Sequence, residues 1–285
     1  IICIYFGEVL FMEKEIKLKS NNEESNTKIT VWLLLSYFII YSVIGYILET
    51  AFGILTKGVL ESRKGFLYGP FCPIYGLGAV VMILSLKKFT KNNYLLFTAG
   101  AIVGSIVEYL VSFFGEVIFN TKWWDYSDQI LNINGRVCLS FALMWGLLSI
   151  YLMQHFNPKV DKFITNVKGK AKNNVLKASI CVLSVFLLLD MMITCVGVKV
   201  FYSRIIYTYE LNVENKEMYV QDYEKLKSNS KKYELYNKIF SDKFMLKTFP
   251  NLKIETKDEN IVYVRDLLSD ISPYYLKLFT PKYNK

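Results

Sequence analysis

The chain has one His and five Cys with no Cys-x-x-Cys pair in its 285 residues, so the usual zinc-ligand spacings are absent. No metal site and no cofactor is expected. A phosphate-binding glycine loop is missing too, because the Gly-Lys-Ala at 169–171 lacks both the upstream glycine and the following Ser or Thr. His-Glu-x-x-His and Gly-x-Ser-x-Gly do not occur. These absences exclude a P-loop ATPase and the familiar metalloprotease and hydrolase nucleophile arrangements. They leave no residue that can be named as catalytic.

What the chain has is apolar length. Hydrophobic residues make up 53% and aromatic residues 16%, gathered in runs of about twenty, the length that crosses a bilayer. Five such runs are counted, at 29–55, 66–86, 94–119, 137–156 and 178–199. The expected fold is an all-α polytopic membrane protein with about five transmembrane helices and the lipid bilayer as its solvent. Residues 1–28 form a polar N-terminal segment, within which Met12 is expected to be the biological start and 1–11 untranslated. Residues 200–285 are rich in Lys and Tyr and are expected to form a mostly helical extramembrane tail, with FPNLKI and ENIVYVRDLL as short strand or helix pieces. The second run carries Pro70, Pro73 and four glycines between 65 and 78, so its beginning is expected to be unwound or re-entrant.

The formal net charge is +9. The basic residues flank apolar runs, so they are topology signals and no nucleic-acid partner is expected. Segments 12–28, 87–93 and 157–177 hold 13 Lys and Arg against 8 in 56–65, 120–136 and 199–217. The positive-inside rule then places the N-terminus in the cytoplasm, and five spans place the tail outside.

The stretch that organises the rest is 94–126. Counted by fours it reads Gly100, Gly104, Glu108, Ser112 and Glu116, one small and acidic stripe on an apolar helix. Small residues allow another helix to approach closely. A carboxylate at membrane depth is costly unless neutral, paired or facing a cavity, so this stripe faces protein. Run one carries a matching series: Tyr37, Tyr41, Gly45, Glu49 and Gly53. VIGYILET (43–50) and IVGSIVEY (102–109) share Gly, one variable residue, two aliphatics and Glu at an offset of 59 residues. Each is followed by a loop with an Arg and then a run holding a Cys (Cys72, Cys138) and a glycine (Gly76, Gly146). The pattern reads either as a parallel repeat of two helical hairpins about an axis along the membrane normal or as coincidence among apolar helices.

Glu49, Glu108, Glu116 and Asp190 are the expected intramembrane acids. They either line a polar cavity for a cation, proton or polar solute, or pair with Arg63 and Arg136 and only fix packing. Each Arg either snorkels to the headgroups or reaches a carboxylate such as Glu116 or Glu49, or an anionic group. Trp123, Trp124, Asp125 and Tyr126 read as an interfacial anchor or a stacking wall beside Glu116. Cys72 and Cys138 are expected as buried thiols, with a disulfide as the alternative.

Four pieces resemble one family: YSVIGYILET, RKGFLYGPFCPIYGLG, EYLVSFFGEVIFNTKWWDYSD and NINGRVCLSFALMWG, within residues 37–156. They are similar to the CmpB-like bacterial membrane proteins, the family described as Putative ABC-transporter type IV. The resemblance implies a polytopic ABC-transporter permease of the bacterial cytoplasmic membrane. It assigns no role to any single residue. Its expected partners are a separate P-loop ATPase chain and a homo- or hetero-oligomer, because five spans are few for a complete pathway. A membrane-embedded enzyme acting on a lipid or lipid-linked substrate, and a non-catalytic sensor or assembly protein, are the alternatives.

Overall fold

The structure, a computed structural model, describes residues 29–119, 124–170, 172–258, 260–271 and 275–280. The chain divides into two compact units, residues 1–34 and 35–285. Of the first, the described part is the opening of helix α1 (Val31–Lys57), where the Thr30 hydroxyl accepts the Leu33 N–H at 3.3 Å and caps the helix. Trp123 and the N-terminal segment 1–28 lie outside the described residues.

In the second unit, α1 is followed by strand β1 (Val59–Glu61) and helix α2 (Pro73–Leu86). A single 3₁₀ turn (Lys87–Phe89) then leads into α3 (Asn93–Phe119). Helix α4 (Leu139–Tyr151) passes through a π-helical turn (Leu152–Phe156) into α5 (Asn157–Lys170). The longest helix is α6 (Asn173–Tyr209). Among the described residues four helical stretches are long and apolar enough to cross a membrane: Val31–Lys57, Asn93–Val117, Leu139–Lys170 and Asn173–Tyr209. The chain is therefore an all-α polytopic membrane protein.

The second apolar run behaves differently from the other four. Only its 14 residues Pro73–Leu86 are helical, about 21 Å of rise against a hydrocarbon layer of about 30 Å. Residues 65–72 are irregular, yet they lie deep against α1 and α6. The Cys72 N–H donates to the Ser42 carbonyl at 2.8 Å, in the middle of α1. Leu67 N–H donates to the Thr194 hydroxyl at 3.0 Å, and Tyr68 N–H donates to the Asp190 carboxylate at 3.1 and 3.3 Å. Gly65 N–H closes on the Phe71 carbonyl at 2.9 Å. Unwound backbone at membrane depth is tolerable only when its polar groups are satisfied from within the protein. Asp190, 1% exposed near the centre of α6, supplies that satisfaction, and Phe66 and Phe71 seal the loop against Leu187.

At the opposite end of the helices, residues 157–170 form α5 where the Lys-rich composition reads as a linker. Val160 and Ile164 are buried on one side, a helical spacing that the lysines mask in composition. The Tyr37 hydroxyl donates to Asp161, Tyr41 donates to Asn157 Oδ1 at 3.1 Å, and Asn157 donates to Asp161 Oδ2 at 3.2 Å. This network joins the start of α1 to α5. Gln154 ties the turn after α2 to the π-helical turn through Thr90 and Asn93, at 3.1 and 2.6 Å.

The boundary expected at 199/200 falls inside α6. The last turns of that helix carry Phe201, Tyr202, Ile205 and Ile206 into the tail's core, with Met245, Ile254 and Val264. Around them lie α7 (Lys216–Ser228), α8 (Ser230–Ile239) and α9 (Asp242–Thr248). Strands β2 (Lys253–Glu255) and β3 (Ile261–Tyr263) pair antiparallel, followed by the short α10 (Val264–Leu267). The last strand, β4 (Tyr275–Lys277), pairs with β1, and both Leu278 and Phe279 N–H donate to the Gly58 carbonyl. Gly58 has φ +67°, and a Cβ there would overlap the Phe279 carbonyl. Buried Glu61 accepts from Asn251 at 2.9 Å and Arg63 at 2.6 Å, so the tail sits on the loop that leaves α1.

Two outcomes follow. Gly58→Ala should release β4, since positive φ costs a residue with a side chain about 1–2 kcal/mol before the overlap is counted; limited proteolysis should then cut near Tyr275 at least several-fold faster. Asp190→Ala should lower the melting temperature in lipid nanodiscs, because an orphaned buried N–H costs about 1–3 kcal/mol. Asp190→Asn, which keeps one acceptor oxygen, should lower it less.

Candidate functional site

The structure brings the repeated motifs of α1 and α3 into matching surroundings. On α1, Gly45 packs under Tyr75 of α2, where a Cβ would overlap the Tyr75 side chain. One turn on, the Glu49 carboxylate accepts the Tyr75 hydroxyl at 2.6 Å. On α3, Gly104 packs under Trp145 of α4 in the same way. One turn on, Glu108 accepts the Trp145 indole N–H at 3.0 Å and the Tyr126 hydroxyl at 3.1 Å. Gly76 and Gly146, each one residue past its aromatic, meet Phe38 and Phe97, and those two phenylalanines are again 59 apart. Gly100 lies against Ser149, whose hydroxyl donates to the Leu96 carbonyl at 3.0 Å.

The loop arginines return over the next turn. The Arg63 guanidinium lies where a Cβ on Gly53 would point and pairs with Glu61 at 2.6 Å. Arg136 pairs with Glu116 and stands over the rings of Tyr109 and Phe113, with centroids at 5.5 and 5.7 Å. Gly53 and Ser112, the residues four after each Glu, are thus covered or flanked by an Arg. Of the two reaches expected for these arginines, Arg136 takes the one to Glu116, whereas Arg63 meets Glu61, a loop residue two positions away.

The other candidates serve the loops. Asp190 holds the backbone of 67–68 rather than meeting Glu49 or Glu108 through any hydrogen bond among the described residues. Trp124 donates its indole N–H to the Arg136 carbonyl at 2.9 Å and stacks on Tyr126, which stacks in turn on Phe141. Asp125 accepts Ser127 N–H and Oγ at 3.0 and 2.6 Å, an Asx turn that shapes the start of the loop. Cys72 and Cys138 are buried free thiols. Among the described residues no three His, Cys, Asp or Glu side chains gather as a metal site.

Glu108 is buried and its two oxygens are each engaged, while Glu49 is half-buried and accepts one bond from Tyr75. An ionised carboxylate has about four acceptor positions. The arrangement can thus orient a proton, a cation or a polar donor, and it offers no nucleophile beside a base. The aromatic donors Tyr75, Trp145 and Tyr126 carry no motif of their own. Their one signal is position: each of the first two immediately precedes the glycine that follows the loop cysteine.

The family described as Putative ABC-transporter type IV matches residues 36–195, more than half of the chain and all of α2 to α5. No curated protein and no solved structure matches.

The glycines under the aromatics give a direct check. Gly104→Ala and Gly45→Ala should each destabilise by about 1–3 kcal/mol through overpacking. Gly78→Ala, where an added Cβ meets nothing within 4 Å, should be neutral or stabilising by up to about 1 kcal/mol. Thermal unfolding of the three variants in nanodiscs measures the contrast.

Proposed function

The chain belongs to the family described as Putative ABC-transporter type IV, and on that premise we propose that it is a permease-like membrane subunit moving a polar or cationic solute. Energy would come from a separate P-loop ATPase chain, since the sequence has no phosphate-binding loop of its own. The observation that carries the reading is the duplicated unit of glycine, carboxylate and covering aromatic on two adjacent hairpins. Intramembrane carboxylates set in a protein-facing groove are the usual means of receiving a cation or a polar donor across the hydrocarbon layer. Equivalent sites on repeated hairpins are also how transporters commonly arrange a pathway near the midplane.

Four crossing helices and one half-length helix enclose little space, so the working unit is an oligomer, with itself or with a second membrane chain. The charge count favours a cytoplasmic N-terminus in a bacterial cytoplasmic membrane. The tail, on the other end of α1 and α6, then lies outside. The lipid-enzyme alternative has no favouring observation, because Arg63 and Arg136, its phosphate ligands, are already engaged by Glu61 and Glu116.

Affinity purification of the intact chain from its host in a mild detergent tests the proposal. A stoichiometric P-loop ATPase should accompany it, and Glu108→Gln and Glu49→Gln should cut the solute-stimulated ATPase rate of that complex at least tenfold with the melting temperature within a few degrees of the parent. Repeated isolation of a monodisperse protein with no ATPase would overturn the reading.

A further inference from the structure

We infer that residues 124–138, ahead of α4, are not an aqueous loop but a bilayer-inserted element, whose tip Ile130, Leu131 and Ile133 contacts lipid in the leaflet on the tail side. The first observation is depth. Gly100 faces Ser149 and Gly104 faces Trp145, so α3 and α4 run antiparallel in fixed register. Continuing that register sets Leu139, the first residue of α4, at the height of Leu110 on α3. Leu139 N–H donates to the Ile130 carbonyl at 3.3 Å, which holds the loop tip at that height. Other contacts agree: Tyr126 reaches Glu108, Asn134 donates to the Tyr109 hydroxyl at 2.9 Å, and Arg136 reaches Glu116. All four positions on α3 belong to the span Asn93–Val117, and Leu110 lies about 14 Å below the end of α3 at Phe119.

The second observation is what the tip shows. Ile130, Leu131 and Ile133 are 76%, 72% and 58% exposed, three large aliphatics within four residues. In water such a cluster would be an apolar patch without a purpose. Here the cluster stands at the height of Leu110, a level at which α3 also exposes large apolar side chains, Leu110, Phe114 and Val117, to lipid. Leu131 has φ +53°, a conformation a leucine adopts at a cost, and the cost secures no burial within the chain.

The third observation is that the loop pairs a large part of its backbone and polar groups within itself. Tyr126 N–H donates to Gly135, Gln129 N–H to Tyr126, Ile133 N–H to Val137 and Arg136 N–H to Ile133. Asn132 accepts from Gly135 N–H and donates to the Ser127 and Gln129 carbonyls. Non-helical backbone survives at membrane depth on this condition. The first hairpin offers the contrast: its loop residues Phe66 and Leu67 are covered by α6 and the tail, whereas no helix among the described residues covers Ile130, Leu131 and Ile133, and lipid takes that place.

Site-directed spin labelling tests this independently of what the protein moves. The intact chain, with Cys3, Cys181 and Cys195 changed to Ser, is reconstituted in phosphatidylcholine–phosphatidylglycerol nanodiscs with a nitroxide at Leu131→Cys. Labels at Leu110→Cys and Lys231→Cys mark lipid and water. The Leu131 label should favour oxygen over a water-soluble nickel chelate, with a collision ratio within about twofold of the Leu110 label. A nickel-favoured ratio like that of Lys231 would overturn the inference. So would low collision with both reagents, which would mean that a second copy of the chain covers the tip. Ile133→Cys provides the same readout should the Leu131 variant fold poorly.

Discussion

Wherever a chain leaves the helical conformation inside a bilayer, its N–H and C=O groups have no water to turn to, and the protein must satisfy them itself. Among the described residues, this protein breaks its helices at that depth before α2 and again before α4. At the first break Asp190 and Thr194 of α6 accept the N–H groups of Tyr68 and Leu67. At the second the loop folds on itself and lodges against Glu108 and Glu116 through Tyr126 and Arg136. The acids that look costly in a hydrophobicity profile are thus what allows the interrupted helices to exist. A carboxylate holding backbone or aromatic donors replaces a hydration shell with fixed partners, and removing one member leaves the others unpaired in a medium of low dielectric.

The glycines make that arrangement reachable. Gly45 and Gly104 bring Tyr75 and Trp145 flat against α1 and α3, close enough for their polar tips to meet the carboxylate one turn further on. Close approach through small residues is the main source of helix association where no hydrophobic driving force separates helix from lipid. Close packing and polar pairing therefore depend on each other in both hairpins. A transport pathway built on these units would keep the carboxylates oriented in the resting state and exchange an aromatic donor for a solute donor when one arrives.

Much of this was legible in the residues. Four-residue spacing puts Gly45 and Glu49 on one face, and Gly104 and Glu108 on another, and the 59-residue echo sets the two helices side by side as a repeat or a coincidence. The Gly and Pro content of 65–78 marked the unwound approach to α2. The contact of Arg136 with Glu116 is one that sequence position allows. Less visible was everything that depends on which side chain arrives from elsewhere. Tyr75 and Trp145 share position but not residue type, so a search for identical residues passes over them. Arg63 met Glu61 because a loop partner two residues away is nearer than any acid in α1. Lysines at Lys159, Lys162 and Lys168 obscured the buried Val160 and Ile164 face of α5, and with it the Asp161 contact to Tyr37. The end of α6 has the composition of the tail because its aromatic residues pack against Met245, Ile254 and Val264, and composition alone does not tell such a core from a lipid-facing surface.

The central claim is that the two hairpins are equivalent units, each closed by an aromatic donor on an intramembrane carboxylate. Double-mutant cycles in lipid nanodiscs measure this most directly, with Glu49→Ala and Tyr75→Phe in one cycle and Glu108→Ala and Trp145→Phe in the other. The account predicts that both pairs couple favourably and by similar amounts, at or above about 0.5 kcal/mol, the limit below which contacts count as independent. Additive behaviour in either cycle would contradict it: the unit in question would then be held by packing alone, and the equivalence of the two hairpins would be lost.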